Sequence, residues 1–221
     1  MNVNELKNLF ILHPGGTGGN HLANLISLIP IFEPRLEKFE GDYQQEFLKL
    51  YERFVDTEFL PKHPTQIHSM KAHFLTKHGL DGLADNIHRQ QLLLNTRINI
   101  LTGHWHCFDK TDLSDFTNHA WLIMSFPKEG SLAYKRIRMY DFWPQKKFLY
   151  NSPYLFNHPV INNDNSFEID TDTFFQDNGA EYLRQLLKQY YGLELPVVAN
   201  EMHDKWLYGL KKSLELFPNI N

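Results

Sequence analysis

The first patterned stretch is an apolar run, Leu9-Phe10-Ile11-Leu12, which stops at His13-Pro14 and gives way to Gly15-Gly16-Thr17-Gly18-Gly19-Asn20. From His21 the spacing changes. Leu22, Leu25, Ile26 and Ile29 fall on one helical face until Pro30 removes the backbone donor that a continuing helix needs. The segment reads as buried strand, glycine-rich turn and helix. Helical spacing returns over 43–60 with Phe47, Leu48, Tyr51, Phe54 and Val55, and residues 83–95 read as a further helix. Between them Lys62-His63-Pro64-Thr65 reads as a loop and Ile67–Phe74 as a short strand. Arg97–Thr102 is a strand pattern closed by Gly103, and Ala120–Phe126 is another that ends at Pro127. A helix is expected from Ser131 to Phe142.

The Asn-, Pro- and Ser-rich stretch 150–166 reads as a surface loop, followed by a short strand over Phe167–Asp170. Leu183, Leu186, Leu187 and Tyr190 share a face within a helix expected over Thr173–Tyr191, with Gly192 as its C-terminal cap. Trp206, Leu207, Leu210 and Leu214 mark a last helix over about 200–216. Strands alternating with helices predict an α/β fold, with a central, mainly parallel sheet between two helical layers. The 221 residues suit one domain, with insertions near 35–80 and 143–165.

Composition narrows the classes. The chain is 42% hydrophobic and 14% aromatic, enough for a real core. One cysteine, Cys107, excludes an internal disulfide framework and any Cys-based zinc module. No stretch approaches the roughly 20 apolar residues that span a bilayer, and no signal-peptide core precedes Leu9. The expectation is a cytoplasmic protein that binds neither membrane nor nucleic acid, because the net charge is −4. That charge is uneven: Lys128, Lys135, Arg136, Arg138, Lys146 and Lys147 face only Glu129 and Asp141 within 125–147. A solvated helix face would account for such a run. Beside an anion-binding turn, a phosphate-facing patch accounts for it equally well.

The glycine turn carries the clearest chemistry. A turn between a buried strand and a helix presents backbone N–H groups at the positive end of the helix dipole, which suits a phosphate or sulfate. Glycines allow positive φ and leave room for the anion. A tight connection with no ligand is the alternative. The closing Gly-Lys-Ser/Thr of nucleotide triphosphatase loops is missing. Glu40 stands at the distance of a dinucleotide-binding acid but precedes a helix. ATP hydrolysis and NAD binding therefore recede.

Taken together, the sequence resembles the sulfotransferase superfamily, in particular its carbohydrate-directed branch. Leu12–Leu22 looks like the loop that grips the 5′-phosphosulfate of 3′-phosphoadenosine 5′-phosphosulfate (PAPS). Thr102-Gly103-His104 looks like the Gly-His of branches with a catalytic histidine. Trp121–Pro127 and the helix bearing Tyr134, Lys135 and Arg136 look like the part that holds the donor's 3′-phosphate. Phe167–Leu195 fits the family's C-terminal part. The resemblance spans roughly residues 9–195 in layout. It implies a P-loop-like three-layer α/β/α fold and transfer of a sulfuryl group to a hydroxyl of a carbohydrate or small metabolite, leaving adenosine 3′,5′-bisphosphate. In this reading Gly15, Gly16, Thr17, Gly18, Gly19, Asn20 and His21 hold the phosphosulfate, Lys135 and Arg136 hold the 3′-phosphate, and His104 is the base. Two departures stand out. Gly16 occupies the usual place of the loop lysine, and Ser125 that of the arginine two residues before proline. Both replacements remove a cation, for which Lys128, Lys135 or Arg136 are the nearby substitutes.

His104 has a plain alternative, a histidine packed on Trp105 and bonded to backbone. His104 and His106 share strand parity and Asp109 falls on the other, and two histidines at this spacing do not make a metal site. No metal is expected. His203-Asp204 reads as a surface or helix-packing feature. A nucleotide-dependent small-molecule kinase and a non-catalytic anion- or nucleotide-binding protein are the competing functions. The kinase reading lacks both a loop lysine and carboxylates for Mg²⁺.

Overall fold

The computed structural model describes residues 5–14, 16–32, 97–104, 118–139 and 165–215. In chain order the elements are β1 (Asn8–His13), α1 (Gly19–Ile26), β2 (Asn99–His104), β3 (His119–Met124), α2 (Leu132–Met139), β4 (Ser166–Ile169), α3 (Thr171–Phe174), α4 (Gly179–Tyr191) and α5 (Val198–Glu215). The four strands form one all-parallel sheet in the order β2-β1-β3-β4. The expected α/β fold with a parallel sheet is thus present among the described residues. Helices 43–60 and 83–95, the strand Ile67–Phe74, and the segments 35–80 and 143–164 lie outside them.

β1 is apolar without alternation because both of its faces are buried, as a central parallel strand requires. Leu9 and Ile11, with Ile100, Leu122, Met124, Phe167 and Ile169, join residues from α1, α3, α4 and α5 in one core. On the opposite face Phe10 stacks on Trp121 at 4.5 Å, and Leu12 and Ile123 are buried nearby. At the start of the strands, Asn99 Nδ2 donates to Asn8 Oδ1 at 2.9 Å, so a buried amide pair fixes the β1–β2 register. At their other end the same register sets His13 beside His104.

α1 has no side-chain cap. Burial of Leu22, Leu25 and Ile26 holds it instead, at about 1.5–3 kcal/mol for each side chain against about 1 kcal/mol for a cap. Gly192, at φ 65, ends α4 as expected. Beyond it Arg184 fastens the turn to α5: Nε donates to Leu195 O at 2.9 Å and a terminal nitrogen to Asn200 Oδ1 at 2.8 Å.

Several boundaries differ from the expected ones. β2 runs through Gly103 and ends two residues past the expected Thr102, so His104 is the last residue of the strand. β3 stops at Met124, because Ser125 is claimed by the β4–α3 connection: its N–H donates to Ile169 O and its Oγ accepts from Thr171 N. β4 correspondingly starts at Ser166, inside the stretch expected to be a loop. The single helix expected over Thr173–Tyr191 is two helices. Asp170 starts the first earlier by accepting from Thr173 N at 2.8 Å. The chain then turns so that consecutive Phe174 and Phe175 both enter the core, and Gly179 packs tightly on the Phe174 carbonyl.

Candidate anion site at the glycine turn

β1 lies between strands reached by connections of opposite direction, β2 on one side and β3 on the other. In open parallel sheets the crevice outside the carboxyl ends of such strands is where ligands bind. The glycine turn leaves β1 at that point. Its shape is set by the Pro14 carbonyl, which accepts from the Thr17 hydroxyl at 2.7 Å, from Thr17 N at 3.2 Å and from His13 Nδ1 at 2.9 Å. The Thr17 hydroxyl proton is therefore committed within the turn, and the side chain is fully buried.

Two glycines are required here for different reasons. Gly18 caps α1 in the left-handed region, at φ 78. A Cβ on Gly19 would stand 2.1 Å from His13 Cδ2, so no other residue fits against that ring. α1 then starts with no side-chain cap at Gly18 and no acidic residue in its first turn. A helix start of this kind, with no side-chain cap, is the setting an anion exploits. Asn20 is exposed at this end.

A cation comes from another element. The Arg136 guanidinium, on α2, donates to the Gly16 carbonyl and lies 5.4 Å over the Trp206 ring. Lys135 is half-buried on the same helix. α2 owes its start to Ser131, whose Oγ accepts from Tyr134 N at 3.1 Å. Its departure from β3 is braced by Asp172, which accepts from Lys128 N at 2.9 Å. Ser125 does structural work only: besides the bond from Thr171 N, its carbonyl accepts from Thr171 Oγ1 at 2.6 Å.

His21 is buried in an aromatic stack rather than directed at solvent. It lies parallel to Trp206 at 4.1 Å, and its Nε2 is 3.2 Å from His203 Nδ1. His203 Nε2 lies 3.0 Å from Gln176 O, which can only accept. His203 therefore carries its proton on Nε2 and accepts on Nδ1, so His21 donates from Nε2. Both rings are neutral in this arrangement. Burial holds His21 well below the ordinary histidine value, with His203 and Arg136 acting in the same direction. Burial also lowers His203, partly offset by the Gln176 carbonyl, Asp204 and Asp177.

Of the expected site residues, Gly16, Thr17, Gly18, Gly19, Asn20 and His21 therefore lie at one turn, and Arg136 reaches it from α2. Gly15 lies outside the described residues. His104 is placed by its backbone at the end of β2, in register with His13. His106 and Asp109 are also outside, and among the described residues no group of three His, Cys, Asp or Glu could hold a metal ion. His203 packs between helices, as expected. Sequence reasoning missed Trp206 and His203 as neighbours of the glycine turn, because an apolar helix face identifies buried residues and not their partners.

No protein-family model matches the chain, and neither a curated protein nor a solved structure matches it. Among the described residues no helix is long and apolar enough to cross a membrane.

Proposed function

We propose that the protein is a sulfotransferase-like enzyme with a P-loop-like, three-layer arrangement around its parallel sheet, taking PAPS as donor and a carbohydrate or small-metabolite hydroxyl as acceptor. The observation that carries the reading is the glycine turn: a central strand leads into an uncapped helix start, with the Arg136 guanidinium against the turn. The residues suit the phosphosulfate end of the donor, where N–H dipoles and one cation face a doubly charged group. When bound, the donor supplies an electrophilic sulfur and a phosphate leaving group. His104, at the strand end beside β1, is assigned to take the acceptor's hydroxyl proton as its oxygen bonds to sulfur. Arg136 and the first turn of α1 are assigned to the charge that develops on the departing phosphate oxygen.

A second reading is supported by Ser125. Where the family carries a cation for the 3′-phosphate, this chain has a serine bonded twice to Thr171. With Arg136 at the other end of the site, 3′-phosphate recognition falls to Lys135 or is missing. In the latter case the protein binds an anion or nucleotide without transferring a group. Adenosine 3′,5′-bisphosphate is expected to raise the melting temperature, by about 2.7 kcal/mol of stabilisation at a hundredfold excess over Kd. No shift at millimolar concentration overturns the donor assignment. Replacing His104 by Ala separates the two readings: an enzyme loses turnover and keeps the bisphosphate.

A further inference from the structure

Three parts of the glycine site meet on one side chain that the donor reading does not use. Trp206, on α5, is 3% exposed. One contact is its parallel stack with His21, in the first turn of α1. Another is the space above Gly18, where a Cβ would come within 3.1 Å of both Trp206 Cη2 and Cζ2. The third is the Arg136 guanidinium, 5.4 Å over the ring, which donates to Gly16 O. Phe175 buttresses the indole edge-on at 5.0 Å and Phe174 lies tilted at 6.3 Å, so the ring has little freedom to move.

We propose that Trp206 is a positioning residue of the anion site: its indole holds the Arg136 guanidinium at the glycine turn, so that α5 supplies indirectly the cation the loop itself lacks. The inference rests on the reading of that turn as the donor's phosphosulfate site. The physical reason is preorganisation. A free arginine samples many rotamers, and recruiting it to an anion costs that freedom. An indole face attracts a guanidinium and fixes its plane, the more strongly where water is excluded. The same ring crowds a Cβ at position 18, so the turn and its cation border one side chain. A tryptophan that only filled the core would need no such relation to Arg136.

The test is a double-mutant cycle read by titration calorimetry with adenosine 3′,5′-bisphosphate. Arg136→Ala and Trp206→Leu are each expected to weaken binding about tenfold, and the double variant no more than the weaker single one, because both remove the same contact. The salt dependence of binding should flatten alike in both, which lost packing alone does not produce. Trp206→Phe keeps a ring under the guanidinium, should retain most of the affinity, and serves if the leucine variant fails to fold. Losses that multiply, an unchanged salt dependence in Trp206→Leu, or a loss in Trp206→Phe as large as that of Arg136→Ala overturn the inference while leaving the donor reading intact. An unmodified protein that does not bind the bisphosphate overturns both.

Discussion

Two of the strands that lead into helices at the carboxyl end of the sheet do so through junctions built oppositely. β4 leads into α3 through Asp170, whose carboxylate accepts from Thr173 N, with Asp172 in the first turn. β1 leads into α1 through Gly18, with no side-chain cap and no acidic residue. α3 neutralises its own positive end and α1 does not. In compensation α1 is surrounded by expensive packing: a ring against Gly19, an indole against Gly18 and a buried histidine pair. A helix start without a side-chain cap but rigidly supported is suited to an external anion. One that is capped and short is a joint.

The comparison can be broken most severely at Gly19. Gly19→Ala puts a methyl into the His13 ring and should cost roughly 3 kcal/mol in urea unfolding, the upper range for overpacking. A loss near zero would mean that the turn can move, and the rigid-support account would fail.

Acid should act on the α1 side. His21 and His203 sit below the ordinary value near 6.5 when folded. As pH falls through that value the unfolded chain takes up protons that the folded one refuses, so stability holds above it and declines below. Urea midpoints at pH 7.5 and 5.5 measure the decline, and His203→Gln should flatten it. A slope unchanged by that substitution assigns the titration elsewhere.

The smallest effects come from exchanging the two designs. Asp170→Ala should cost about 1 kcal/mol as a lost cap. Asn20→Asp should stabilise by about 0.5 kcal/mol through the α1 dipole and weaken bisphosphate binding, since a resident carboxylate then competes for the same N–H groups. If Asn20→Asp leaves ligand affinity unchanged, the anion does not sit at α1.

Much of this was readable in the chain because it depends on local rules. The apolar run, the glycines and the period of Leu22, Leu25 and Ile26 specify strand, turn and helix without reference to anything distant. Gly192 likewise announces the end of α4. The division between α3 and α4 was hidden, since Phe174 and Phe175 fit helical periodicity and only the core reveals that both must be buried. The surroundings of His21 were hidden for the same reason. Beside a glycine turn it reads as a ligand-facing residue, whereas Trp206 and His203, distant in sequence, draw it inward. The role of Ser125 was equally unreadable, because its partner Thr171 is on another strand's exit.

The hydrogen bond from His21 to His203 spans 182 positions, and that from Arg136 to Gly16 spans 120. The glycine turn is therefore translated long before the distant residues that pack over it. A nascent chain carries Gly18 and His21 without the indole that covers them, and the α1 dipole without the guanidinium at its mouth. Closing so long a loop is slow, and it comes after local helices and neighbouring strands have formed. The turn is thus among the earliest parts of the protein to be made and among the last to be finished, complete only once α5 has docked.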